Sequence, residues 1–114
     1  MVQQESGEGL RRWTRHKIDV RLKVSFAEDG KKEAAIGRAN SLSQGGIGAY
    51  IPCSIPVGTR VNLELTFPYS PSEAKLDAVI RSCEGFRYGL EFTRVPDEVQ
   101  AMIVKNCNGS EQLQ

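Results

Sequence analysis

The sequence has little of what most catalytic or metal sites require. It contains one histidine, His16, and three cysteines, and no two of these residues stand at the close spacing of zinc ligands. An odd number of widely spaced cysteines argues against a disulfide framework, so we expect reduced thiols in a cytoplasmic protein. No nucleophile stands beside a base in sequence, and the paired acids fall at a turn and at a helix start. The sequence therefore predicts neither an enzyme nor a metal site, and no resident cofactor.

Long apolar runs and a strong net charge are also missing. No run approaches the ~20 residues of a membrane span, and the N-terminus shows no signal-peptide core. A net charge of +1 argues against DNA as a partner. Aromatic residues make up 7% of the chain, so a large aromatic cage is not expected. With 114 residues, 39% of them hydrophobic, the chain is typical of one soluble domain.

What the sequence does contain is apolar and polar alternation, the pattern of half-buried strands. It is clearest from Ile18 to Phe26, where every second residue is apolar. Shorter or weaker stretches of the same kind follow at residues 32–40, 47–51, 61–67, 74–80 and 86–92. In the last of these, Phe86, Tyr88, Leu90 and Phe92 are expected to share one face.

The end of the chain changes period. Pro96 and two acids look like a first helical turn, and apolar residues then recur at helical spacing at Val99, Met102 and Ile103. The sequence thus predicts a mainly all-β fold, a small six-stranded antiparallel β-barrel with a C-terminal α-helix. We expect a disordered tail at residues 1–9, the barrel domain at 10–109 and a frayed C-terminus at 110–114.

One short stretch between strands stands out as a candidate binding corner, Ser41-Leu42-Ser43-Gln44-Gly45-Gly46. Two hydroxyls two residues apart lie on the same face of a strand. The paired glycines allow positive φ and a sharp turn. Such a corner would present hydroxyls and bare backbone N–H groups to one point. The alternative is an ordinary hairpin corner with polar side chains facing solvent.

A basic segment precedes the first strand and carries Arg11, Arg12 and Arg15. The planar guanidinium forks of arginine pair with phosphate oxygens or with the edge of guanine. An arm with two such forks could close over a flat anionic ligand. The alternatives are a solvated arm without a partner and a generic nucleic-acid arm.

Together the two stretches resemble the PilZ domain, the bacterial receptor module for cyclic di-GMP. That family carries Arg-x-x-x-Arg followed by Asp/Asn-x-Ser-x-x-Gly. Arg11-Arg12-Trp13-Thr14-Arg15 fits the first pattern, and the stretch from Ser41 to Gly46 fits the second at its serine and glycine. Phe86-Arg87-Tyr88-Gly89-Leu90-Glu91-Phe92 resembles the family's last strand. The likeness extends from about Leu10 to Cys107.

The resemblance implies a cyclic di-GMP-binding signalling module without catalytic activity, in which the ligand orders the N-terminal arm. The ligand-binding residues it implies are Arg11, Arg12, Arg15, Ser41, Ser43, Gly45 and Gly46.

Ser41 stands where the family has Asp or Asn, and its single hydroxyl cannot pair with both donors of a guanine edge. If Ser41 takes that place, binding should be weak and Ser41→Asp should tighten it. Asn40 is adjacent, but a shift of one residue points it to the other face of a strand unless a bulge intervenes.

Two other functions stay open at this point. One is an adaptor barrel that contacts an effector protein and binds no nucleotide, which the serine at position 41 favours. The other is a small RNA-binding barrel, although the strands lack the surface aromatics that stack on RNA bases.

Overall fold

The computed structural model describes residues 14–109. The tail expected at residues 1–9, the C-terminus at 110–114, Arg11 and Arg12 lie outside the described residues. Within them the chain forms six strands and one helix. These are β1 (His16–Glu28), β2 (Lys31–Leu42), β3 (Gly46–Tyr50), β4 (Arg60–Leu65), β5 (Ala74–Glu84), β6 (Arg87–Arg94) and α1 (Asp97–Gly109).

The strands close into a barrel in the order β1-β2-β3-β6-β5-β4, and every neighbouring pair is antiparallel. This confirms the predicted six-stranded antiparallel barrel followed by a helix. β1 and β2 join through Asp29 and Gly30, whose φ angles are 51° and 78°. Asp-Gly suits such a tight hairpin because both central residues need positive φ.

The apolar residues of the alternating strands fill the barrel interior, as the sequence predicts. Leu22, Val24, Leu63, Ile80 and Leu90 are all fully buried. The helix α1 adds the apolar residues Val99, Ile103 and Cys107 to the same core. Since one face of each strand is buried in this core, the other face is left to form the outer wall of the barrel.

Phe86 departs from its predicted place. The chain turns at Gly85, with φ of 65°, and β6 begins only at Arg87. The prediction that Phe86 shares one face of this strand with Tyr88, Leu90 and Phe92 is therefore wrong, because the turn takes it out of the strand. Phe86 is 43% exposed, and its ring lies edge-on to that of Tyr50, with the ring centroids 6.1 Å apart.

The helix is fastened to the loop before β5 through a buried amide. Asn106 is fully buried, and its Oδ1 accepts a 2.8 Å hydrogen bond from the backbone N–H of Tyr69. Its Nδ2 donates to Ser70 Oγ at 3.0 Å and to the carbonyl of Met102 at 2.8 Å. No helix within residues 14–109 is long and apolar enough to cross a bilayer.

Candidate ligand-binding site

A cavity of about 620 Å³ opens on the outer wall of the barrel. It lies over the end of β2, over β3, and over the hairpin that joins β5 to β6. Of the residues predicted from the sequence, the structure brings together Arg15, Ser41, Ser43 and Gly46 on its lining. Gly45 is next to the cavity but does not line it, and Arg11 and Arg12 lie outside the described residues.

The floor of the cavity is a row of small residues that runs across four neighbouring strands. Ser41 of β2 pairs with Gly48 of β3, Gly48 pairs with Gly89 of β6, and Gly89 pairs with Ser82 of β5. Residues directly opposite each other on paired strands share a face of the sheet. Two glycines and two serines in one row leave a shallow trough between the longer side chains on either side.

Ser43 closes the turn between β2 and β3 and is buried. Its Oγ accepts hydrogen bonds from the backbone N–H groups of Gly45 at 3.3 Å and Gly46 at 3.1 Å. The hydroxyl also donates to the carbonyl of Gly46 at 3.3 Å. A serine hydroxyl has one donor and two acceptor positions, so these bonds use all three within the turn. The geometry favours a role for Ser43 in shaping the corner.

This turn also differs from the sequence prediction in its backbone. Among residues 14–109, the glycines with positive φ are Gly30, Gly58 and Gly85, so Gly45 and Gly46 turn the chain without it. The hydroxyl of Ser43 supplies the hydrogen bonds that hold the turn. The corner is not solvent-facing either, because Ser41 and Ser43 are only 5% and 4% exposed.

β2 carries an irregularity at the edge of the cavity. Ala39 pairs with Ala49 and Ser41 pairs with Gly48, so two residues, Asn40 and Ser41, stand opposite one. This is a β-bulge with Asn40 as the extra residue. Asn40 is exposed and lines the cavity.

Position 48 requires glycine because the side chain of Ser41 lies too close to leave room for a Cβ. A Cβ at position 48 would lie 2.4 Å from Ser41 Oγ, well inside van der Waals contact. We expect Gly48→Ala to lower the free energy of unfolding by about 1 kcal/mol, the low end for overpacking because the serine can rotate. The variant Ser41→Ala should relieve the clash, since Ser41 Cβ is 3.7 Å from the added atom.

Urea denaturation of Gly48→Ala, Ser41→Ala and the double variant measures this coupling. The double variant should be more stable than Gly48→Ala alone. Equal stability of those two proteins would show that Ser41 does not limit the space above Gly48.

The far wall of the cavity carries groups of both charges. It is formed by the β5–β6 hairpin, from which Glu84 and Arg87 line the cavity as an exposed acid and an exposed base. Cys83 lies on the same wall and is also exposed, and its thiol donates a 3.2 Å hydrogen bond to the carbonyl of Gly85. With Arg15 at the other end, cationic side chains stand on two sides of the trough.

Tyr88 lies beneath this wall and ties a loop to the barrel. Its hydroxyl donates a 2.6 Å hydrogen bond to the carbonyl of Cys53 and accepts one of 2.9 Å from the N–H of Ile55. Burial raises the pKa of the Tyr88 hydroxyl, so the phenol stays protonated and keeps its donor. Residues 14–109 hold no group of three metal-ligating side chains.

The sequence alone did not identify several residues that line the cavity. Gly48 of β3, and Arg87 and Gly89 of β6, come from two places in the chain that only strand pairing brings together. Gly48 could have been noticed as the third glycine of Gly45-Gly46-Ile47-Gly48. Glycine weakens the interior of a strand, so its presence there often marks a place where another group approaches the backbone closely.

The PilZ domain family profile matches residues 10–109 of this chain. Among solved structures, the PilZ domain of CeSA from a cellulose-synthesising bacterium is similar, with 21% identity and a TM-score of 0.64 over 83% of this chain and 95% of that one. The PilZ domain of YcgR from Escherichia coli with c-di-GMP is 19% identical, with a TM-score of 0.63 over 87% of this chain and 92% of that one.

Bacillus subtilis MotI/DgrA, an inhibitor of motility, is 14% identical with a TM-score of 0.68. That match covers 95% of this chain but 51% of the other, so this chain spans about half of MotI/DgrA. At these identities the three structures are alike in fold. No curated protein matches the sequence.

Proposed function

The chain belongs to the PilZ domain family, and on that premise we propose that it binds cyclic di-GMP in the cavity on its outer wall. PilZ domains are a family of cyclic di-GMP-binding modules, and they act as binding or adaptor modules rather than catalysts. The proposed protein is a cytoplasmic receptor that signals through the bound nucleotide. Its three free cysteines agree with a reducing compartment.

One observation supports this proposal above the others. Arg15, from the segment before β1, lines the same cavity as Ser41, Ser43 and Gly46 from the β2–β3 corner. These residues are separated by more than two dozen positions in sequence, yet they surround one trough with a glycine floor. A flat, doubly anionic ligand needs such a surface and a cation beside it.

The proposed roles follow from the chemistry of each group. The guanidinium of Arg15 pairs with a phosphate or with O6 and N7 of guanine. Arg11 and Arg12, carried on the segment before Arg15, are proposed to close over the exposed side of the ligand. Gly46 allows close approach of the backbone, and the Ser43 turn holds it in position.

Calorimetric titration with cyclic di-GMP at one fixed salt concentration tests the proposal. Saturable binding that cyclic di-AMP does not reproduce would support it. A titration without heat, matched by an unchanged melting temperature at high ligand concentration, would overturn it, because a ligand of the folded state must raise stability.

Thiol labelling can locate the ligand on the structure. Burial raises the pKa of Cys107, and burial together with the charges of Glu28 and Glu33 raises that of Cys53. Because thiolates are the reactive form, we expect N-ethylmaleimide to modify the exposed Cys83 first.

Cyclic di-GMP should then slow the labelling of Cys83, by up to about 100-fold at ~100 times Kd, where about 1% of sites are open. Cys53 does not line the cavity and serves as the internal control. Peptide mass spectrometry gives both rates. Unprotected Cys83 in the presence of saturating ligand would place the nucleotide elsewhere.

A second candidate function is an adaptor that works through protein contacts. The observation that favours it is an apolar group on the outer wall beside the cavity. Tyr50 and Phe86 are 46% and 43% exposed and stack edge to face, and Tyr50 pairs with Arg87 of the cavity wall. The titration and the thiol labelling separate the two functions, because an adaptor without nucleotide binding gives no heat of binding and no protection of Cys83.

A further inference from the structure

The bulge in β2 changes which side chain can read the ligand. In a regular strand Asn40 would point to the opposite face from Ser41. Here the pairing with β3 moves from Ala39↔Ala49 directly to Ser41↔Gly48, which leaves Asn40 as an extra residue. A bulge interrupts the alternation and re-aims a side chain.

Two distances show where the re-aimed side chain goes. Measured from the position of a Cβ built on Gly48, Ser41 Oγ lies at 2.4 Å and Asn40 Oδ1 at 3.4 Å. Both polar side chains therefore stand over the same glycine. Ser41 is 5% exposed and forms part of the floor, whereas Asn40 is exposed and lines the cavity.

The two side chains differ in what they can recognise. The edge of guanine presents the N1–H and N2–H donors beside the O6 acceptor. A carboxamide has an acceptor oxygen and an NH₂ donor in one plane, so it can form two parallel hydrogen bonds with that edge. A serine hydroxyl carries its donor and its lone pairs on a single atom and offers no such fork.

We infer that Asn40, brought over Gly48 by the β-bulge, reads the guanine edge of the nucleotide in the place where the motif register puts Ser41. This inference rests on the proposed function and adds a specificity-determining residue to it. The spacing of the motif assigns the guanine-reading position to Ser41, whereas the β-bulge assigns it to Asn40.

Calorimetry on four proteins at one salt concentration tests this. The series is wild type, Asn40→Ala, Ser41→Ala and Arg15→Ala, each titrated with cyclic di-GMP. Asn40→Ala should weaken binding by about 5- to 150-fold, the loss of one bidentate side-chain contact to a base. Ser41→Ala tests the rival assignment one residue away, and it should weaken binding less than Asn40→Ala does.

Two variants with an added carboxylate test base recognition directly, because a purely structural role for Asn40 predicts no pattern in their affinities. Asn40→Asp keeps the planar fork and offers two acceptors to N1–H and N2–H, so it should still bind. Ser41→Asp should bind no more tightly than wild type, because Asn40 already occupies the acceptor position. The preference for cyclic di-GMP over cyclic di-AMP should narrow in Asn40→Ala, since adenine lacks both donors.

The outcomes separate this inference from the proposed function. If the wild-type protein does not bind cyclic di-GMP, the proposed function and the inference about Asn40 are both wrong. If wild type binds and Arg15→Ala weakens it while Asn40→Ala leaves it unchanged, the receptor stands and the inference about Asn40 is wrong. Tighter binding by Ser41→Asp, by about 10-fold or more, also overturns it, because Ser41 would then hold the acceptor position. Since Asn40 is exposed, Asn40→Ala should keep the wild-type melting temperature, which excludes misfolding as the cause.

Discussion

Replacement of Arg15 by alanine is expected to weaken cyclic di-GMP binding by about 5- to 150-fold, the equivalent of ~1–3 kcal/mol for one bidentate arginine contact. Arg15 is exposed and lines the cavity just before β1 begins, and substitutions at exposed positions usually change stability little. The loss should therefore appear in affinity and not in the melting temperature. Calorimetry and thermal unfolding on the same preparation separate the two effects.

The matched control for this variant is Arg60→Ala. Arg60 is also exposed, and it lies on β4, across the barrel from β3 and outside the cavity lining. Both variants lose one positive charge, so long-range attraction of the anionic ligand falls similarly in each. An equal loss of affinity in the two proteins would mean that Arg15 acts through net charge alone, and the arm would have no specific role.

The fold could be predicted from the sequence because its signal is local. Period-two alternation marks the strands, and an Asp-Gly pair marks the first hairpin. Where a local signal was ambiguous, the prediction failed. Phe86 continued the apolar alternation of β6, but the hairpin at Gly85 placed it on the outside, where it contacts Tyr50 instead of the core. Whether Phe86 faces the core or the solvent depends on the exact residue at which the hairpin turns. The alternation of apolar residues does not specify that residue.

The candidate site was only partly accessible from the sequence, because strand register determines it. The motif residues Arg15, Ser41, Ser43 and Gly46 do line one cavity. The floor that Gly48 and Gly89 form needs the pairing of β3 with β6, two strands that are distant in the chain. The bulge at Asn40 is likewise a property of the pairing, and its sequence carries no mark of it. The hydrogen bonds of Ser43 show the same limit, since a serine in a motif does not reveal whether its hydroxyl faces a ligand or its own backbone.

The buried amide of α1 carries the other large expected effect. Asn106 falls seven residues after Val99, so helical spacing places it on the buried face among Val99, Ile103 and Cys107. Its partners Tyr69 and Ser70 lie more than 30 residues away in sequence. The sequence could therefore indicate a polar residue on a buried helix face, but not which loop would form hydrogen bonds with it.

Replacing Asn106 by alanine should lower the free energy of unfolding by about 2–4 kcal/mol. The change leaves the Tyr69 N–H and the Ser70 hydroxyl without their partner, at ~1–3 kcal/mol for each group that water does not reach. The control is Asn108→Ala, an identical substitution at an exposed position in the same helix. Both variants share the gain in helix propensity of alanine over asparagine, so their difference reports the loss of the buried contacts of Asn106, its hydrogen bonds included. Urea denaturation gives both free energies, and hydrogen exchange at Tyr69 should quicken only in Asn106→Ala. Equal stability of the two variants would show that the helix is held to the barrel by its apolar face alone.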